Sequence, residues 1–222
     1  MRTRKAIVIE PRDQSRIVAG LERLPDQEGF VGLRTRAFAY LLWDGALRTG
    51  AAIWLNVEEV VKDSATSRIH VVQEAVLRPC EGNRYHAREF LISDRARDAI
   101  AEYLKVARSD GWLANASRLK GPLWIATQGD GAQKRMSQRT AVQSWRRFID
   151  GVKGLSCDDY QLDDVVLTGR VEFLKAAKST DVMSEHAGIS AKWAGQYSDH
   201  LGARSSTRDV ISQLNQKYKR EA

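Results

Sequence analysis

Apolar residues in the first part of the chain recur at helical spacing. Pro11 suits the first turn of a helix, and the residues that follow at intervals of three or four positions are apolar: Ile17, Leu21 and Leu24. This spacing predicts a helix over 11–24. The segment 25–29 contains proline and glycine and should break it. The pattern then predicts a second helix over 33–43 and a short apolar helix over 50–55.

β-branched and alternating residues mark the middle of the chain. They predict strands over 57–61, 68–77 and 85–92, with polar turns between them. We expect these three strands to form a small antiparallel sheet. A further short strand is predicted over 6–9. Ser93 can cap a helix that runs to about residue 107.

The second half of the chain reads as mostly helical. After a short extended piece at 123–126, Ser137 can cap a helix that carries three large apolar residues: Val142, Trp145 and Phe148. Further helices are predicted over 164–177, 179–186, 190–200 and 206–219. No repeat or linker divides the chain, so the predicted fold class is α+β and mostly helical. The expected parts are a basic lead-in (1–10), one domain (11–205) and a C-terminal helix (206–222).

The composition is that of an ordinary globular domain. An apolar share of 43% with a charged share of 28% excludes a disordered chain. No apolar run approaches the roughly 18 residues of a membrane span, and the N-terminus lacks the apolar core of a signal peptide. Cys80 and Cys157 have no CxxC partner, which favours a reducing cytoplasm over disulfides or zinc. We expect no metal and no cofactor.

Positive charge is the first feature that indicates a partner. The chain carries 35 Lys and Arg against 28 Asp and Glu, a net charge of +7, which favours a polyanion such as nucleic acid. Five cations crowd one segment that contains the single acid Asp150: Lys134, Arg135, Arg139, Arg146 and Arg147. Lys and Arg suit phosphates, whereas Gln and Arg suit base edges. With Gln138 and Gln143, the segment therefore carries side chains that suit a nucleic acid, and a solvated basic helix face is the alternative.

Two further segments carry a family resemblance. The run Ala46-Leu47-Arg48 joins an apolar helix to a short helix, and Tyr197 stands in a polar run near the end of the chain. Over residues 10–210 the chain resembles the catalytic domain of the tyrosine recombinases, or phage-type integrases. The resemblance implies an integrase-type fold with a three-stranded sheet, and double-stranded DNA as the partner.

The resemblance also assigns roles to two residues. In this family two arginines and one or two histidines hold the scissile phosphate, and a lysine on the β-hairpin is the general acid. The tyrosine attacks and forms a 3′-phosphotyrosyl DNA intermediate. Arg48 matches the first arginine, and Tyr197 matches the nucleophile. The cations are needed because charge develops on the phosphate oxygens during the reaction.

Other catalytic positions depart from the family pattern. No lysine occurs between Lys62 and Lys105, so the hairpin lysine is missing, and arginine is a poor proton donor because its pKa is very high. The His-x-x-Arg signature falls on Asp163 and Val166. Gly188 stands where the resemblance places a histidine. Losing several such groups should leave little strand transfer.

The replacements also change the charge of the site. Asp163 and Asp164 place two carboxylates near a phosphate site, and these would repel the phosphate. Arg170, one helical turn beyond Val166, is a weak substitute for the missing arginine. His186 lies two residues from the expected histidine, and we interpret it as a surface or capping residue.

The sequence therefore predicts a cytoplasmic, nucleoid-associated DNA-binding protein with a degenerate tyrosine-recombinase site, acting as a regulator or accessory factor of a mobile element or plasmid. Its predicted DNA contacts are Lys134, Arg135, Gln138, Arg139, Gln143, Arg146 and Arg147, with Arg78 and Arg84 from the strand region. Two alternatives stay open: an active recombinase or relaxase-like nicking enzyme that uses Tyr197, and a protein-interaction module without a DNA role. The helix over 206–222 is expected either to dock on a neighbouring protomer or to pack on its own core.

Overall fold

Helices dominate the part of the chain that the computed structural model describes, which is residues 5–62, 70–77, 88–110, 120–127, 134–177, 179–187, 211 and 215–216. In order, the elements are α1 (Pro11–Gly45), α2 (Thr49–Ile53), α3 (Val57–Val60), β1 (Val61–Lys62), β2 (His70–Val71), β3 (Glu74–Leu77), β4 (Arg88–Leu91), α4 (Asp94–Ser109), α5 (Gln138–Gly151), α6 (Leu162–Ala177) and α7 (Thr180–Ala187). The predicted fold class is confirmed.

The long helix α1 is interrupted at a glycine. Gly29 has φ 54° and ψ −128°, a conformation that glycine adopts without the penalty other residues meet. Beyond the interruption, a Cβ on Gly32 would lie 2.4 Å from the carbonyl oxygen of Leu24. Pro25 lies inside the first half of α1. The break predicted over 25–29 therefore occurs at the last residue of that segment.

The strand predicted over 57–61 is wrong for its first four residues, which form the short helix α3. Asn56 caps this helix, and its backbone N–H donates to the Glu59 side chain at 2.7 Å. The two side chains together form a capping box, which satisfies backbone donors that a strand would leave free. Val57 and Val60 therefore lie in a capped helical turn, and Val61 is the first residue of β1.

The segment 70–77 pairs with both of the other strand regions. Its first part, β2, pairs antiparallel with β1, and its second part, β3, pairs antiparallel with β4. The backbone N–H of Val72 donates to Val60 and that of Ile92 donates to Gln73, both at 2.8 Å. The three predicted strand regions thus pair in the expected order, but the predicted three-stranded sheet is wrong, because the pairing among the described residues forms two separate two-stranded sheets.

The two predicted helix caps are confirmed. The Ser93 hydroxyl accepts from the backbone N–H of Ala96 at 3.2 Å, and the Ser137 hydroxyl accepts from that of Thr140 at 3.1 Å. The helices that they begin, α4 and α5, both pack against α1, as does α6. The helix α1 is therefore the centre of the core.

The extended piece at 120–127 is fastened to two helices. The buried Tyr103 hydroxyl of α4 donates to the carbonyl of Leu123 at 3.0 Å and accepts from the N–H of Ile125 at 3.2 Å. The Trp124 indole N–H donates to the carbonyl of Ala52 at 2.7 Å. Because these bonds are buried, they fix the segment that leads into α5.

The helices α1 and α6 touch at their backbones. A Cβ on Gly169 would lie 1.8 Å from the carbonyl oxygen of Trp43, so only glycine allows this approach. The Trp43 indole N–H also donates to the Glu172 carboxylate at 2.9 Å. The end of α1 is thereby fixed against α6, just before the chain reaches Arg48.

The N-terminal segment is extended but does not join a sheet in the described part of the chain. The backbone N–H of Ile7 donates to the Asp164 carboxylate at 2.7 Å, and that of Ile9 donates to the Thr168 hydroxyl at 2.9 Å. Ile9 is fully buried. The strand predicted over 6–9 is therefore an extended strap along α6.

The C-terminal helix predicted over 206–219 is described at three positions, all helical. Ile211 is fully buried in a cluster with residues of α6 and α7, and the Asn215 side chain accepts from the N–H of Asp94 at 2.9 Å. These two residues contact their own chain, and docking in trans stays a prediction. The helix predicted over 190–200 lies outside the described residues. None of the described helices has the length and apolarity needed to cross a bilayer.

Candidate nucleic-acid interface

Arg48 lies at the start of α2, three residues beyond the end of α1. It is exposed, whereas Ala46 and Leu47 before it are fully buried. Ala46 adopts φ 50° and ψ 22°, a left-handed conformation that costs a non-glycine residue roughly 1–2 kcal/mol. The chain thus turns sharply between two buried residues and presents Arg48 at the surface.

A buried ion pair fixes this turn. The Asp44 carboxylate accepts from the Arg95 guanidinium at 2.5 and 3.2 Å and also from the Ser93 hydroxyl. The guanidinium lies over the Tyr40 ring, 4.2 Å from its centroid. Because the Asp44 side chain is fully buried, the pair locks the end of α1 to the start of α4.

An open cleft adjoins the start of α2. It holds about 670 Å³ of space continuous with solvent, and its walls include Thr49, Gln138, Val142, Arg146, Cys157 and Asp163. The residues come from α2, α5, α6 and the loop between the last two helices. Cationic and anionic groups line the same cleft, so its charge is mixed rather than purely attractive to phosphate.

The two carboxylates at the start of α6 have different environments. Asp163 is exposed and accepts from the Thr49 hydroxyl at 3.5 Å. Asp164 is buried, and it accepts from the backbone N–H groups of Ile7 at 2.7 Å and Gln161 at 2.6 Å. Asp164 is therefore committed to the strap, and repulsion of a phosphate by the two carboxylates stays a prediction. Asp163 alone of this pair lines the cleft.

Val166 and Arg170 follow on the same helix. Val166 is 5% exposed and Arg170 is 8% exposed. The Arg170 Nε–H donates to the carbonyl of Ala46 at 3.4 Å. The structure thus brings Arg170 to the turn that carries Arg48, where its guanidinium bonds to the backbone. A catalytic role for Arg170 stays a prediction.

His186 is inside the protein, so the interpretation as a surface residue is wrong. It is 1% exposed, and its ring stacks on Phe173 with centroids 4.1 Å apart and an angle of 6°. Its Nε2 lies 3.3 Å from the carbonyl oxygen of Asp44, in the last turn of α1. Since a carbonyl only accepts, this contact requires a proton on Nε2. The residue packs α7 onto α1.

Helix α5 presents a basic and amidic face to solvent. Its apolar stripe is buried: Ala141, Trp145, Phe148 and Ile149. The predicted DNA contacts on the helix and just before it are exposed: Lys134, Gln138, Arg139, Gln143, Arg146 and Arg147. The Trp145 indole N–H donates to the carbonyl of Tyr160 at 3.0 Å. The buried side therefore fixes which residues of α5 face outward.

Two of the predicted contacts are engaged within the chain. Arg135 is half-buried and donates to the carbonyls of Ile53 at 2.8 Å and Leu55 at 2.9 Å. Arg146 is exposed and lies 3.4 Å from the sulfur of Cys157 and 3.8 Å from the Asp158 carboxylate. The structure thus gives Arg135 a fastening role, which the sequence did not distinguish from a DNA contact.

Comparisons with family models and with curated proteins find no match, whereas solved structures do match. XerA recombinase superposes with a TM-score of 0.61 at 11% identity, covering 99% of this chain and 65% of that one. XerH site-specific recombinase bound to difH substrate gives a TM-score of 0.63 at 12% identity, covering 87% of this chain and 50% of that one. The Tn1549 transposon integrase in complex with transposon right-end DNA gives 0.56 at 10% identity, covering 98% and 67%.

This chain has the tyrosine-recombinase catalytic-domain fold. The resemblance inferred from the residues around Arg48 is confirmed at the level of the fold, which is what a likeness at 10–12% identity establishes. The chain spans about half to two thirds of the length of the structures that it matches.

Three residues assigned by the recombinase resemblance or by charge lie outside the described residues: Tyr197, Arg78 and Arg84. Their roles stay predictions. Within the described part of the recombinase fold, sequence reasoning missed the Asp44–Arg95 pair and the anchoring of the strap by Asp164. The position of Asp44 at the end of an apolar helix was a signal for the Asp44–Arg95 pair. The second joins residues 157 positions apart, which no local pattern reveals.

Proposed function

We propose that this chain is a DNA-binding protein on a tyrosine-recombinase fold that has lost strand transfer and serves as a regulator or accessory factor of a mobile element or plasmid. The observation that carries the proposal is the exposed face of α5. Lys134, Arg139 and Arg147 are exposed on or beside a helix whose opposite face is buried, so the charges are held in a fixed arrangement.

The chemistry of this face suits a duplex. Lys and Arg bind phosphate oxygens, and Gln138 and Gln143 can pair with base edges. A net charge of +7 adds a long-range attraction. The XerH and Tn1549 integrase structures of the same fold have DNA bound, which supports DNA as the polyanion.

Loss of strand transfer is proposed from the replaced catalytic residues. Asp163 and Val166 stand at the positions that the resemblance assigns to a histidine and an arginine, and a carboxylate in the cleft opposes phosphate. Removing one cationic or proton-transferring group costs about two to four orders of magnitude in rate. Arg48 alone supplies one of several required charges.

Duplex binding is tested by fluorescence anisotropy across a series of salt concentrations. We expect steeply salt-dependent binding, and the slope of log affinity against log salt should fall by about one in Arg139→Ala or Arg147→Ala. Lys105→Ala is the matched control, since it removes an exposed cation from α4. Absence of binding at low salt would refute the proposal and favour the protein-interaction module.

The active recombinase or nicking enzyme is the second candidate. It is favoured by the exposed Arg48 beside an open cleft and by the approach of Arg170 to the carbonyl of Ala46. A suicide DNA substrate traps a covalent phosphotyrosine. We expect no adduct with the wild-type chain. An adduct that disappears in Tyr197→Phe would establish the enzyme.

A further inference from the structure

Trp54 is a large apolar side chain that stays exposed beside the basic helix. It is 39% exposed, although it follows the buried residues of α2 directly. Its backbone N–H donates to the carbonyl of Ala51 at 3.2 Å, and the next residue, Leu55, accepts from the N–H of Leu123 at 3.0 Å. Hydrogen bonds therefore hold the backbone at Trp54 and Leu55, and the indole is exposed from an ordered turn.

Arg135 covers one part of the indole ring. Its guanidinium carbon lies 4.9 Å from the ring centroid, within the range of a cation–π contact. The same guanidinium donates to the carbonyls of Ile53 and Leu55 and to the Asn56 side chain at 2.5 Å. Since these three bonds do not depend on the ring, the arginine is a fixed support against which the indole rests.

The pair lies at the N-terminal end of the α5 surface. Arg135 is two residues before the cap Ser137, and it is flanked by the exposed Lys134. Gln138 and Arg139 are exposed in the first turn of the helix. A polyanion held by these cations would lie beside the exposed part of the indole.

We propose that Trp54 is a DNA-contacting residue whose indole packs against the deoxyribose rings and base edges of a duplex held by α5. This inference rests on the proposed function and adds a contact that charge does not supply. The surrounding cations select a nucleic acid over an apolar protein partner. The support from Arg135 lowers the entropic cost of the contact, because the ring is already oriented.

The test compares Trp54→Ala, Trp54→Phe and Arg139→Ala with the wild-type chain. The probes are a labelled mixed-sequence duplex and inorganic polyphosphate, which carries charge without sugars or bases. We expect Trp54→Ala to bind the duplex about fivefold more weakly at fixed salt, with an unchanged salt slope, because an apolar contact releases no counterions. Trp54→Phe should retain most of the affinity. The affinity for polyphosphate should not change in Trp54→Ala or Trp54→Phe.

The outcomes separate this inference from the proposed function. If the wild-type chain binds no duplex, both are refuted. If it binds with a steep salt slope that Arg139→Ala reduces, while Trp54→Ala binds the duplex as tightly as the wild type, only the role of Trp54 is refuted. A reduced salt slope in Trp54→Ala would also refute the role of Trp54, because the loss of affinity would then come from a disturbed Arg135. Equal melting temperatures establish that the variants are folded.

Discussion

Gly169→Ala tests the backbone contact on which the position of Arg48 depends. The added Cβ would lie 1.8 Å from the Trp43 carbonyl oxygen and 2.7 Å from its carbonyl carbon, and real Cβ atoms keep at least 3.0 Å. The helices α1 and α6 must therefore separate by more than 1 Å. Overpacking of this kind costs about 3 kcal/mol, and for a chain of this length that lowers the melting temperature by about 10 °C.

Thermal unfolding followed by circular dichroism measures the effect, and Gly151→Ala is the matched control. A Cβ on Gly151, the last residue of α5, meets nothing within 4 Å. Alanine there should be neutral or slightly stabilising, because it restricts the unfolded chain more than glycine does. If Gly169→Ala melted within about 2 °C of the wild type, the close approach of the two helices would be refuted.

Three further changes test the interior. Asp44→Ala removes the carboxylate that pairs with Arg95 and should lower the free energy of unfolding, measured in urea, by about 3–5 kcal/mol. The double variant Asp44→Ala/Arg95→Ala should lose less than the sum of the losses in the two single variants. Strictly additive losses would contradict the pairing. Burial and a hydrogen bond to a carboxylate of α1 raise the pKa of Tyr160 to about 12. The stabilisation from its protonated form is complete below about pH 10, the unfolded pKa, and is lost as the pH rises to 12. The stability difference between the wild type and Tyr160→Phe should therefore shrink over that window, and a constant difference would contradict the linkage. Asp164→Ala should release the strap, seen as faster amide exchange at Ile7 with α5 unchanged, and unchanged exchange at Ile7 would show that the carboxylate does not hold it.

Much of the helical framework could be predicted because its signals are local. Ser93 and Ser137 predict the starts of their helices, because a serine side chain can accept from the backbone N–H three residues later, and both bonds form. Val57 and Val60 led to the wrong strand prediction, because the reciprocal bonds between Asn56 and Glu59 outweigh β-branched propensity over one turn.

The site was harder to predict, because its residues are defined by distant partners. Arg135 and Arg139 look alike in the sequence, yet one is fastened to the carbonyls of Ile53 and Leu55, more than 75 positions earlier, and the other is exposed. His186 was interpreted as a surface or capping residue because it lies two residues from the position expected for the family histidine, whereas its ring packs on Phe173. Such distinctions come from tertiary packing, which a local pattern does not contain.

The strap along α6 bears on the order in which the chain can fold. Its two hydrogen bonds join residues 157 and 159 positions apart, and the end of α1 rests on the same helix. Because the strap precedes α6 in the chain, it cannot complete its packing until α6 has been made. We expect folding to finish only after synthesis has passed α6. Until then the part of α1 that packs against α6 stays exposed, and a chain truncated before α6 should be prone to aggregation.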